Sequence, residues 1–212
     1  MLIKDIMTKD VITVPSNTSL GEAKKIMKEH KFRRLPVVDK GKLVGVVTED
    51  RLERVTPSST APFLWQVGYL ISRTTLRDIM ERNVVTISPE ATVEQGVALA
   101  QSRRVGALIV VKAGKVVGIV TTNDFFYNII NPLLGIGEPG TRIFVPGGGD
   151  GKAAQKIITI INKLGVAIEV LWTLSTAKSN KIDITIQLET DDASKVITEL
   201  QNAGFPASIR PR

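Results

Sequence analysis

"GKLVGVVTEDRL" (Gly41–Leu52) and "GKVVGIVTTNDF" (Gly114–Phe125) are near-copies within one chain. Each reads Gly-Lys, an apolar run, a Thr and a polar turn. Working outward from them, a shift of 73 positions lays Ile3–Val55 on Leu76–Asn128 without a gap. "KDIM" (Lys4–Met7) meets "RDIM" (Arg77–Met80), and "VITV" (Val11–Val14) meets "VVTI" (Val84–Ile87). Roughly a quarter of the paired positions are identical, which marks an internal duplication. The copies part three residues after the Thr: the second carries Asp124, the first Arg51, with Asp50 one place earlier.

Both copies share one grammar. A short strand is followed by a helix opened by a capping box, Ser19 with Glu22 and Thr92 with Gln95. Two β-branched runs joined by a Gly-Lys hairpin come next, then a second helix. The class is α+β or α/β: two β-α-β-β-α repeats, each too small to bury a core alone and so packed face to face as a pseudo-twofold module. The expected boundaries are 1–55 for repeat 1, 56–75 for a linker, 76–131 for repeat 2, 132–140 for a second linker and 141–212 for a third unit. The first linker holds Phe63, Leu64, Val67, Leu70 and Ile71 at helical spacing, beside Trp65 and Tyr69. This is a helix packed on its own module or a dimer contact. The third unit reads β-α-β-β-α-β, the ferredoxin-like split arrangement, with "PGGGDG" (Pro146–Gly151) as its first loop.

The 212 residues carry a net charge of +7, which points to anionic partners, with 43% hydrophobic and only 5% aromatic content. No cysteine is present, so thiolate chemistry and disulfides are excluded. The one histidine, His30, closes a helix and reads as a dipole-favoured helix end. No Walker-type loop and no usable His–acid pair occurs, so an enzyme is not expected. The opening "MLIKDIMTKD" lacks a secretory pattern and apolar runs are short. A cytoplasmic protein without membrane association is expected.

The segments "DIMTKDVITV" and "HKFRRLPVVDKGKLVGVVT", with their second-copy partners, resemble cystathionine-β-synthase (CBS) domains, which occur in tandem as Bateman modules. "PGGGDG", "INKLGVAIEVL" and "ELQNAGF" resemble an ACT domain, a small ligand-sensing fold. The whole order, with "FLWQVGYLISRTTLRDIM" between the repeats, is similar to the acetoin utilisation protein B family. The resemblance implies a regulatory sensor that binds an adenosine ligand (AMP, ADP, ATP or a related adenosyl compound) as effector rather than as obligatory cofactor.

In adenosine-binding CBS pairs the motif is Gly-apolar-apolar-Ser/Thr-x-x-Asp. One carboxylate can accept from both ribose hydroxyls. Thr121 and Asp124 match it. Val84, Val85 and Thr86 match the base-lining segment, with Thr13 its first-copy counterpart, and Ala107 and Leu108 would open the strand along the pocket wall. In the first copy Thr48 matches but Arg51 stands where the acid belongs, and arginine cannot accept. Repeat 1 carries Arg33 and Arg34 where repeat 2 has Gly106 and Ala107. A nucleotide would therefore place its adenosine on repeat 2 and its phosphates toward Arg33, Arg34 and Arg51. The competing reading makes Asp124 a helix cap and the arginines a solvated face. Lys28, Lys31, Arg103 and Arg104 read as surface charges.

For the third unit the resemblance implies dimerisation or a second effector, an amino acid held at Pro146–Gly151. The expected protein is thus a homodimeric sensor read by a regulated partner protein. The alternative is a protein-interaction or DNA-associated regulatory module without nucleotide. No helix-turn-helix or aromatic-basic reader is evident, so nucleic-acid binding would be weak and salt-dependent.

Overall fold

A computed structural model describes residues 1–55, 74–175 and 181–211. The helix expected within 56–75 and the polar turn 176–180 lie outside the described residues. The chain forms two compact units, Met1–Phe125 and Phe126–Arg212. The contact boundary thus falls six residues before the sequence-derived end of repeat 2.

Repeat 1 contains α1 (Ile3–Ile6), α2 (Leu20–His30), β1 (Arg34–Asp39), β2 (Lys42–Thr48) and α3 (Glu49–Val55). Repeat 2 contains α4 (Leu76–Ile79), β3 (Thr86–Ile87), α5 (Val93–Arg103), β4 (Ala107–Lys112), β5 (Lys115–Thr121) and α6 (Thr122–Phe125). The duplication reaches fine detail. Ser19 and Thr92 cap α2 and α5 by accepting from the backbone N–H of Glu22 and Gln95, both at 3.2 Å. Both hairpins carry a bulge at the same place, Val37/Val38 and Val110/Val111. The turns are Lys40-Gly41 and Ala113-Gly114, with φ of 49 and 76° in one and 49 and 77° in the other. Two successive positive φ values define a type I′ turn, which suits the strand twist. The turn therefore sits one residue earlier than the Gly-Lys pair.

The sequence did not show the short helices α1 and α4, nor where they dock. Each lies on the other repeat. The N–H groups of Ile3 and Lys4 donate to the carbonyls of Ala91 and Pro89, and those of Leu76 and Arg77 donate to Thr18 and Ser16. Thr8 bridges Ile119 on β5, while Glu81 bridges Val46 on β2. The core of repeat 1 accordingly includes Leu76, Ile79 and Met80 together with Leu20, Leu35 and Val47. Glycines in mid-strand make room for this crossing. A Cβ on Gly45 would lie 2.6 Å from the Met80 sulfur, and one on Gly118 2.5 Å from the Met7 sulfur.

The second unit has β6 (Thr141–Val145), α7 (Gly151–Lys163), β7 (Ile168–Ser175), β8 (Ile182–Leu188), α8 (Ser194–Asn202) and β9 (Ser208–Ile209). The element order is β-α-β-β-α-β and the antiparallel sheet runs β7-β8-β6-β9. Alternate residues Ile143, Val145, Ile184, Ile186 and Leu188 point to one face and bury there with Ile157, Ile161, Val196 and Leu200 of the helices. Trp172 stands on the edge strand β7 and is half-buried.

Candidate functional site

Thr121 ends β5 and Asp124 lies in the first turn of α6. One oxygen of Asp124, Oδ2, accepts from both the backbone N–H and the hydroxyl of Thr121, each at 2.7 Å. The Asp124 N–H donates back to the Thr121 hydroxyl at 3.4 Å. Asp124 is therefore a cap. The cap uses one oxygen, and among the described residues nothing donates to the other.

Asp124 and Thr121 line a cavity of about 380 Å³, within the size range of small-molecule pockets. Ile119 and Asn123 of repeat 2 stand beside them, and repeat 1 supplies the rest: Thr8, Asp10, Val11 and Ile12 on one side, Lys31, Phe32, Arg33 and Arg34 on another. Arg33 is largely exposed and lies 3.7 Å from Glu49. The missing side chain at Gly106 lets Arg34 reach over repeat 2: a Cβ there would stand 2.7 Å from its guanidinium nitrogen. The side-chain ring of Phe32 stacks on His30, centroids 5.5 Å apart.

A second cavity, about 270 Å³, is the twin of the first. Displaced by 73 positions, nearly every lining residue of one falls on a lining residue of the other. Thr48 stands for Thr121, Val84 and Val85 for Val11 and Ile12, Ala107 for Arg34. Arg51 takes the place of Asp124 and Glu81 that of Thr8. Those two residues form an ion pair, Arg51 Nη1 to Glu81 Oε2 at 3.4 Å. The base thus stands opposite an acid supplied by the other repeat.

The structure redistributes the sequence-derived site. Thr121, Asp124, Arg33 and Arg34 come together. Val84, Val85 and Ala107 do not join them; they line the twin cavity with Thr48 and Arg51. The cause is the crossing of the N-terminal segments, which sets each Thr-x-x-(Asp/Arg) turn against the apolar pair of the opposite repeat. Arg51 therefore does not face the Asp124 cavity. Leu108 is fully buried in the core rather than on a wall. Thr13 is exposed and not part of the first lining, and Thr86 lines a third cavity. In both, strand alternation turns the Thr away from its buried neighbour, Val14 or Ile87. Sequence reading missed Phe32, Lys31, Val11 and Ile12; the last two are recoverable by applying the shift of 73 to Val84 and Val85. Lys31, read as a surface charge, adopts φ 56° at the end of α2 and reaches the cavity wall.

Carboxylates fasten the crossing. The Ser16 N–H donates to Asp39 at 2.9 Å, and Arg77 of the other repeat donates to the Ser16 hydroxyl at 3.1 and 3.2 Å. The Ser16 hydrogen bond holds the Asp39 carboxyl below its ordinary range. Asp78 is lowered likewise by hydrogen bonds from Thr75. Among the described residues no cluster could hold a metal ion.

In the second unit, three glycines of the loop Pro146–Gly151 spend their N–H groups internally. The N–H groups of Gly147, Gly148 and Gly149 go to Asp183, the Val145 carbonyl and the Ile182 carbonyl. Asp150 accepts from Lys152 and Ala153 at the start of α7.

The CBS domain family matches residues 3–56 and 76–131, more than half of the chain. The chain belongs to the CBS domain family. A CBS domain-containing protein of Dictyostelium discoideum, DDB_G0289609, is 32% identical over 139 residues, covering 63% of this chain and 94% of its own length. The crystal structure of a Vibrio cholerae protein described as an acetoin utilization protein (AcuB) is 30% identical and aligns with a TM-score of 0.53 over 66% of this chain and 98% of that one. The CBS domain pair of protein MJ0100, solved in complex with 5'-methylthioadenosine and S-adenosyl-L-methionine, is 34% identical with a TM-score of 0.49, over 64% and 96% of the two chains. The chain spans about a quarter of the length of the first curated relatives it matches. No described helix is long and apolar enough to cross a membrane.

Proposed function

We propose that the CBS pair is a regulatory sensor that binds one adenosine ligand in the Asp124 cavity. A single observation carries this reading: Asp124 is clamped by Thr121 through one oxygen and leaves the other for a ligand, in a cavity whose far wall is cationic. The free oxygen suits the vicinal hydroxyls of a ribose, with Val11 and Ile12 flanking the base and Phe32 available to stack on it. Lys31, Arg33 and Arg34 receive phosphates or another anionic tail. Of the polarity expected from the sequence, this reading retains the ribose on repeat 2 and the phosphates toward Arg33 and Arg34, but moves the base to the repeat 1 wall and leaves Arg51 out.

The C-terminal unit, read as ACT-like, contributes dimerisation or a second effector. The internally bonded N–H groups of Gly147, Gly148 and Gly149 and the exposed apolar residues Leu174 and Ile182 favour dimerisation over an amino-acid site. A regulated partner protein would read the ligand state through differential binding.

Thermal shift with AMP, ADP, ATP, S-adenosylmethionine, adenosine and amino acids tests the reading. A ligand at a hundred times its Kd should stabilise the protein by about 2.7 kcal/mol. Asp124→Ala should abolish the response to adenine compounds at that concentration. Equal responses from Asp124→Ala and wild type overturn the assignment; silence toward every adenine compound points instead to an interaction module without nucleotide.

A further inference from the structure

The third cavity lies where the hairpin tips of both repeats meet the segment before β3. It measures about 540 Å³ and takes Lys40 and Lys42 from one hairpin, Lys115 from the other, and Arg82 from repeat 2, and among the described residues no carboxylate lines it. Among the described residues none of the three lysines has an ion pair, whereas Lys4, Lys25, Arg33, Arg51 and Lys112 all do. Arg82 spends one nitrogen on the Arg77 carbonyl, at 2.7 Å. Gly41 and Gly114 leave open space above their backbone at the turns. The Thr86 side chain borders the same space.

Four like charges around one cavity repel each other, and an anion placed among them relieves that repulsion. A lysine is a point charge with three donors and imposes no planar geometry on its partner. Cations drawn from three separate segments are better spanned by adjacent phosphates than by one. No aromatic residue among the described residues lines the cavity, so they build no stacking platform of the kind a single-strand reader uses. We propose that this cavity binds a small molecule carrying two or more adjacent phosphates, independently of the Asp124 cavity.

Titration calorimetry at low salt tests this with inorganic tripolyphosphate, orthophosphate and a short DNA duplex. Tripolyphosphate should bind at least about tenfold more tightly than orthophosphate, because it gathers more charge-assisted contacts, and salt should weaken it. Lys42→Ala with Lys115→Ala should lower the affinity about tenfold or more, the Lys→Arg pair should retain it, and Asp124→Ala should leave it unchanged. Arg82→Ala serves as a second variant if the double alanine chain misfolds. Equal binding of the two phosphates, indifference to these substitutions, loss on Asp124→Ala, or tighter binding of the duplex than of tripolyphosphate would each overturn the proposal.

Discussion

Arg51→Asp with Glu81→Thr should turn the second cavity into a working copy of the first. The exchange removes an ion pair of 3.4 Å whose side chains are 48% and 52% exposed; such pairs contribute about 0–1 kcal/mol, so the fold should survive. The Arg51 N–H already donates to the Thr48 hydroxyl at 3.3 Å, matching the bond from Asp124 to Thr121 at 3.4 Å. An aspartate at position 51 would thus find the same N–H and hydroxyl waiting at Thr48, and its second oxygen would face Val84 and Val85. Charge-assisted bonds to ribose contribute about 1.5–3 kcal/mol, which is about ten- to a hundredfold in affinity. Gly106 and Ala107 replace Arg33 and Arg34 at the matching positions, and Arg34, reaching across from repeat 1, is the one further arginine lining this cavity among the described residues besides the substituted Arg51. With fewer cations than the first cavity, the gain should be carried by the nucleoside rather than by its phosphates. Calorimetry with adenosine should count one site per chain in the wild type and two in the variant. Adding Asp124→Ala should bring the number back to one. A variant that still counts one site, or a wild type that already counts two, would refute the claim that the residue pair at 51 and 81 sets occupancy.

Two further outcomes follow from the crossing. Gly45→Ala forces a methyl against Met80, whose sulfur, Cγ and Cβ would lie 2.6–3.0 Å away, and should cost about 1–3 kcal/mol in urea unfolding. Paired with Met80→Ala the loss should be less than the sum of the single losses by at least about 0.5 kcal/mol; simple additivity would show that Met80 does not fill that slot. Acid should weaken the fold through Asp39 and Asp78. Both carboxyls titrate lower when folded than when unfolded, so their support is complete above the ordinary aspartate range, near about pH 4, and is lost as pH falls through the lower folded values. Asp39→Asn should flatten the urea midpoint against pH in that window, and an unchanged acid slope would contradict it.

The repeat pattern carried most of the fold because hairpins, caps and helices are local. Ser19, Thr92 and the β-branched runs of β1, β2, β4 and β5 each announce their element within a few residues. The crossing is not local. The Ile-Met of "DIM" and the Val-Val or Val-Ile pair that follows are apolar, but apolar pattern does not name the sheet that receives them. For that reason Val84, Val85 and Ala107 were assigned to the Asp124 cavity when they face Arg51. Thr121 and Asp124 were legible because cap and acceptor share one turn. Lys31 was not, because its left-handed backbone at the end of α2 decides its direction, and lysine does not advertise that conformation.

The exchange of N-terminal segments also bears on ancestry. A chain with one repeat would lack the helix that completes its core, and two such chains would have to trade segments to fold. In that pairing symmetry makes both cavities identical, so any residue that suits one appears in both. Joining two copies in a single chain lifts that restriction. Only then can one position hold Asp124 while its twin holds Arg51, and a symmetric receptor acquire a direction.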